Sequence, residues 1–144
     1  MPSSTTSSEL RVELGPQPVR VLLVDDNAGI LAHTTAVLSS VCRVVGAVKD
    51  GWSALDAAAR LQPDVIVLDI SMPGLNGLDV ARRLRQNGSR AEIVFLTVHD
   101  DEEFVGAGRA AGGIGYVIKA RLAADLPLAV LAASHHQPFV SAHP

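Results

Sequence analysis

The chain predicts an α/β domain on a doubly wound, five-stranded parallel sheet, and three features carry that prediction. Apolar runs recur at near-regular intervals, at 19–24, 42–48, 65–68, 93–96 and 114–118. Each is apolar almost throughout rather than alternating, which suits strands covered on both faces. Helix-like stretches fill the gaps and close the chain, at 27–40, 51–61, 75–87, 101–111 and 121–134. Five strand–helix repeats follow, and the right-handed crossover rule leaves few arrangements, of which 2-1-3-4-5 is the expected order.

Composition agrees. A chain of 144 residues holds one domain with a real core. It is 48% hydrophobic, yet only five residues are Phe, Trp or Tyr, so the core must be aliphatic and rich in alanine. The net charge of −3 offers no basic footprint for nucleic acid. No apolar stretch is long enough to span a membrane and no signal-peptide pattern opens the chain, so a cytoplasmic location is expected. Cys42 stands alone among valines and reads as a small buried hydrophobe.

Residues 1–18 begin with a Ser/Thr tract and continue into Gly15, Pro16 and Pro18. Such a segment buries too little apolar area to offset its ordering entropy and is read as a disordered tail. Asp50-Gly51 starts the second helix and Gln62-Pro63 stops it. Asn87-Gly88 ends the third with C-cap chemistry. Gly112-Gly113-Ile114-Gly115 is the turn into the fifth strand. The last helix has apolar positions on more than one side, among them Leu122, Leu126, Ala129, Val130 and Ala133, so its outer face is a candidate partner contact.

Polar residues stand where the strands end: Asp25 and Asp26, Asp69, Thr97 and Lys119. Ligands of doubly wound sheets bind outside the carboxyl ends of strands, where the strand order reverses. With the expected order, that point lies between strands one and three. Three carboxylates there repel, since two unit charges 4 Å apart cost about 4 kcal/mol at an effective dielectric near 20. A divalent cation removes that cost, and all-oxygen donors suit Mg²⁺, with Mn²⁺ as a substitute. Asp69 then becomes a nucleophile for a phosphoryl group, with Lys119 and the Thr97 hydroxyl on its oxygens. The Pro73-Gly74 turn is expected to let backbone approach whatever the carboxylate holds. Taken singly, each residue has a plainer role: Asp25-Asp26 as a helix N-cap pair, Asp69 as a turn former, Thr97 bonded to backbone, Lys119 as a solvated charge. Their joint placement at consecutive strand ends favours the chemical reading.

With these residues named, the chain resembles the receiver domain of bacterial two-component response regulators over about residues 19–134. The motifs are Val21-Leu22-Leu23-Val24-Asp25-Asp26, then Asp64-Val65-Ile66-Val67-Leu68-Asp69-Ile70-Ser71-Met72-Pro73-Gly74-Leu75-Asn76-Gly77, then Phe95-Leu96-Thr97, then Gly115-Tyr116-Val117-Ile118-Lys119. Their wording is most similar to the NarL/FixJ (LuxR)-type subclass. The resemblance implies a flavodoxin-like (βα)5 fold. It implies that Asp69 accepts a phosphoryl group from a sensor histidine kinase or a phosphotransfer protein. Asp26, Asp69 and the Ser71 backbone carbonyl would bind Mg²⁺, with Asp25 acting through water. Thr97 and Lys119 would contact the phosphoryl group, and Tyr116 would turn inward as Thr97 moves, the two forming a switch. Homodimer formation on phosphorylation is a further expectation. Ser71 and His99, two positions after Asp69 and Thr97, are expected at the pocket mouth, tuning phosphoryl lifetime by gating water.

Two departures stand out. The subclass continues into a helix-turn-helix domain, whereas this chain ends at Pro144, and residues 135–144 read as a tail or the start of a linker. These residues supply no DNA contact. Ala120 follows Lys119 where many receivers have proline, so a trans bond is expected, because a cis non-proline bond costs roughly 2.5–4 kcal/mol. Two other functions compete: a degenerate receiver that acts by protein binding alone, and a Mg²⁺-dependent aspartyl-phosphate hydrolase of the haloacid dehalogenase type. The hydrolase reading suffers because such enzymes carry the nucleophile on the first strand.

Overall fold

The computed structural model describes residues 17–98 and 102–141. Nearly all of the expected N-terminal tail, and His99, lie outside the described residues. The elements run β1 (Arg20–Val24), α1 (Ala28–Leu38), β2 (Arg43–Val48), α2 (Gly51–Leu61), β3 (Val65–Asp69), α3 (Gly77–Gln86), β4 (Glu92–Thr97), α4 (Glu102–Ala110), β5 (Gly115–Ile118), a 3-10 turn (Lys119–Arg121), α5 (Leu122–Ser134) and β6 (Phe139–Val140). Each expected strand and helix is present.

The sheet is parallel throughout, but it has six strands rather than five, in the order β2-β1-β3-β4-β5-β6. The added strand lies in the segment expected to be a tail or linker. Two residues following a proline give no apolar run to detect, and β6 exists only because it pairs with β5, Gly115 beside Phe139 and Tyr116 beside Val140.

Successive residues of a strand face opposite sides of a sheet, and both sides are covered here. Leu22, Ile66, Leu68, Ile93 and Phe95 meet Ala54, Ala57 and Ala58 of α2 and Val80, Ala81 and Leu84 of α3. Val21, Leu23, Val65, Val67, Val94 and Leu96 meet Leu31 and Leu38 of α1 and Leu126, Ala129, Val130 and Ala133 of α5. The core is aliphatic and alanine-rich, with Phe95 and Tyr116 as its buried aromatics. Cys42 is buried, and burial raises its thiol pKa. On α5, Leu128 and Leu131 point outward and are exposed.

Helix ends follow local chemistry. Asp50 caps α2 by accepting from the Ser53 N–H at 2.8 Å, and Gln62 closes that helix in a left-handed conformation, φ 49°. Past α3, the Ser89 N–H reaches back to the Leu84 carbonyl at 2.9 Å. Among the described residues, no helix is long and apolar enough to cross a membrane.

Candidate functional site

Strand register brings the polar residues together. Val24 pairs with Leu68, so Asp25 follows beside Asp69. Asp69 pairs with Leu96, and Thr97 pairs with Ile118, one residue before Lys119. Asp25, Asp69 and Thr97 are each no more than 2% exposed, while Asp26 is exposed. Carboxylate oxygens of Asp25, Asp26 and Asp69 all lie within 4.8 Å of one another.

Neither aspartate at the end of β1 caps a helix. Asn27 takes that task, accepting from the Ile30 N–H at 3.0 Å, and Asp25 accepts from the Asn27 N–H at 2.9 Å. Asn76 likewise caps α3, accepting from the Asp79 N–H at 3.0 Å. Asp69 makes one turn contact, accepting from the Ser71 N–H at 3.1 Å. Its other partner is Lys119, whose Nζ stands 3.5 Å from Asp69 Oδ1 and 2.9 Å from Asp25 Oδ2. Lys119 is therefore no solvated charge; its ammonium bridges the two buried carboxylates.

One ammonium does not balance three carboxylates. Burial pushes the Asp69 carboxyl up to about 6, and the neighbouring Asp25 charge adds to the rise; Lys119 and the Ser71 N–H oppose it. Asp25 Oδ2 receives no hydrogen bond of acceptable geometry, although Lys119 is near. That contact is a charge pair, and the buried oxygen keeps an unused lone pair. An all-oxygen, negatively overcharged cluster with such an oxygen fits a hard divalent cation.

The loop after β3 shows where backbone comes close. Gly74 adopts φ 73°, and a Cβ there would meet nothing within 4 Å. Its glycine serves a left-handed turn, and a close approach of backbone to backbone is found at Gly77. A Cβ on Gly77 would stand 2.2 Å from the Asp69 carbonyl oxygen and 2.8 Å from the Ile70 Cα. The Gly77 N–H also donates to the Ile70 carbonyl at 2.9 Å. The start of α3 is thus pressed onto the backbone that carries Asp69. Sequence reasoning missed this role; the signal was Asn76-Gly77, a cap followed by a residue without a side chain.

Tyr116 is 3% exposed and packs inward with Phe95 and the backbone of Gly108. Ser71 is exposed at the rim. The Lys119–Ala120 bond is trans, as expected. The sequence also gave no sign of a buried network beyond Lys119. There Arg121 holds Asp125 through Nε–Oδ2 at 2.8 Å and Nη2–Oδ1 at 3.2 Å, and Ser141 Oγ donates to Asp125 Oδ2 at 2.8 Å. Hydrogen bonding from Arg121 holds the Asp125 carboxyl below its usual range.

A cleft of about 960 Å³ lies at the opposite end of the sheet, among Arg20, Asp64, Glu92 and His136. Two of its charged groups are engaged locally: Arg20 donates to the Leu61 and Gln62 carbonyls, and its N–H donates to Asp64. Among the described residues, the group that could hold a metal ion is not in this cleft but at the acidic site.

Residues 21–131 match the response regulator receiver domain. The probable transcriptional regulatory protein TcrX of Mycobacterium tuberculosis is 40% identical over 103 residues, covering 72% of this chain and 44% of TcrX. The nitrate/nitrite response regulator protein NarP of Escherichia coli is 40% identical over 104 residues, covering 71% of this chain and 48% of NarP. The chain thus spans less than half the length of these relatives. Among solved structures, the signal receiver domain of the M. tuberculosis response regulator NarL superposes with a TM-score of 0.80 at 29% identity, covering 85% of this chain and 100% of that one. A LuxR-family response regulator from Aurantimonas sp. SI85-9A1 gives 0.81 at 27% identity, covering 85% and 89%. The acidic site sits within the matched stretch, and the chain belongs to the response regulator receiver domain family, the receiver modules of two-component signal transduction.

Proposed function

We propose that Asp69 is the phosphoacceptor and that the phosphoryl donor is a phosphohistidine on a sensor kinase or phosphotransfer protein. One observation carries this: Asp69 is a buried carboxylate held 3.5 Å from a lysine, within a cluster whose negative charge exceeds its positive charge. Asp26, Asp69 and the Ser71 carbonyl would hold Mg²⁺, with Asp25 assisting. When bound, the ion supplies the positive charge that lets an anionic phosphoryl group approach a carboxylate. An Asp69 oxygen then attacks phosphorus, the O–P bond forms as the P–N bond breaks, and the leaving imidazole takes up a proton. Lys119 neutralises charge on the transferring group and the Thr97 hydroxyl donates to it.

Thr97 and Tyr116 form the switch, and the outcome passes to a partner, a second copy, or an attached output domain. Ser71 and His99 tune the lifetime of the phosphoryl group. The only chemistry of the domain is its own phosphorylation and dephosphorylation, and its setting is the cytoplasm. The experiment is intact-mass measurement after incubation with Mg²⁺ and acetyl phosphate. The wild type should gain one phosphoryl group and Asp69→Asn none; a wild type that never gains the mass removes the proposal.

A second reading draws on the inward Tyr116. A receiver held permanently in one conformation, acting by protein contact alone, would also bury this ring. The complete acidic set favours phosphorylation, and the same mass measurement separates the two.

A further inference from the structure

Lys119 lies at the point where the chain leaves the sheet. The ladder with β4 ends at Ile118, and the residues beyond it belong to the 3-10 turn. A four-carbon stem with a free backbone base would let its ammonium wander. Here the base is held from both sides. On the near side, the outward N–H of Ile118 donates to Ser141 Oγ at 3.1 Å in a buried setting. On the far side, Arg121 forms its two-pronged contact with Asp125. The two tethers converge, because Ser141 Oγ also donates to Asp125 Oδ2 at 2.8 Å.

The direction of these bonds is set by the proton count. Ser141 has one hydroxyl proton, and an ionised carboxylate only accepts, so that proton goes to Asp125. The hydroxyl lone pair then faces Ile118 N–H and takes the place of a strand carbonyl. Ser141 is itself placed by its own N–H, which donates to the Tyr116 carbonyl at 2.9 Å. Asp125 and Ser141 are each only 5% exposed. Removing the hydroxyl would strand the Ile118 N–H away from water and leave Asp125 Oδ2 with the Arg121 Nε–H alone.

We propose that Ser141 and Asp125 are positioning residues for phosphoryl transfer, acting through Lys119 by pinning the backbone on both sides of it. The proposal rests on Asp69 as phosphoacceptor. It gives the two-residue strand β6 a task beyond covering a sheet edge: it delivers the Ser141 hydroxyl to the end of β5.

The test uses the full chain with acetyl phosphate as donor. Maximal phosphorylation rate, half-saturating donor concentration and Mg²⁺ affinity are measured separately for the wild type, Ser141→Ala, Ser141→Thr and Asp125→Asn, with folding checked by circular dichroism. Ser141→Ala should lower the maximal rate about fivefold, the usual scale for one lost buried hydrogen bond. Its Mg²⁺ affinity should stay within about twofold, since the three carboxylates are untouched, and Ser141→Thr should recover most of the rate. A purely structural role would lower the melting temperature and leave the maximal rate of the folded protein unchanged. That result for Ser141→Ala overturns the inference, as does a rate loss matched by an equal loss of Mg²⁺ affinity. A folded Asp125→Asn should lose at least as much rate as Ser141→Ala. A wild type that takes up no phosphoryl group overturns the phosphoacceptor reading itself, whereas a wild type that loads beside an unaffected Ser141→Ala overturns the positioning role alone.

Discussion

The two ends of the sheet use the same residue types to opposite effect. At the amino end, charges are matched at close range. Arg20 is spent on two helix-end carbonyls, and Arg85 donates to the carbonyls of Ser89, Ala91 and Gly112. His136 Nδ1 lies 3.1 Å from Glu92. At the carboxyl end, three carboxylates share one ammonium. Matched charges hold chain segments in place, while an unmatched surplus stores a binding free energy for whatever cation or phosphoryl group relieves it. The 960 Å³ cleft thus lies at the satisfied end, and the acidic cluster lies at the frustrated one.

Three substitutions would break or sharpen that contrast. The largest stability effect should come from Gly77→Ala, because a Cβ there meets backbone that cannot step aside. A loss of about 3 kcal/mol is expected from urea unfolding; a loss below about 1 kcal/mol would show that α3 can slide without cost. Next is Asp69→Asn. The folded Asp69 binds its proton more tightly than the unfolded one, about 6 against 3.8. Its burden is therefore absent below pH 3.8, grows as pH rises towards 6, and is complete above it. Without divalent cation, the variant should be more stable than the wild type by on the order of 2 kcal/mol at pH 8, with little difference at pH 4. Thermal melts at the two pH values decide this, and equal differences at both would refute the surplus-charge picture. With Asp69 as a proposed ligand, the same protonation should weaken Mg²⁺ binding as pH falls through 6, a trend calorimetry would read directly. Smallest is Arg85→Ala at the matched end. It should cost about 1–2 kcal/mol of stability for its carbonyl contacts and leave Mg²⁺ affinity unchanged.

Much of this contrast is legible before any folding is considered. Strands buried on both faces must be apolar along their length, so Val65-Ile66-Val67-Leu68 announces itself, and the carboxylate directly after it gains a chemical reading once polar residues stand at the neighbouring strand ends too. Asp25, Thr97 and Lys119 are readable on the same ground. What escapes is set by contacts between distant segments. Strand β6 is two residues long and exists through β5. Gly77 matters because α3 touches the backbone of Asp69, a contact that Asn76-Gly77 signals only as a helix start and does not locate. Asn27 and Asp26 are equally good caps by sequence, and only the backbone geometry at Asn27, φ −95° and ψ 114°, makes it the one that bonds Ile30.

Because Asn27 and Asn76 cap the helices on either side, neither Asp26 nor Asp69 caps a helix start, and Asp25 contributes only by accepting the Asn27 N–H. Recognition chemistry and scaffold are thereby separable in inheritance. A lineage could trade Asp69 or Asp26 for a neutral residue without unravelling α1 or α3. On the proposed role of Asp69, phosphate-blind descendants of such a domain would lie one substitution away, folded and free to drift toward pure contact roles.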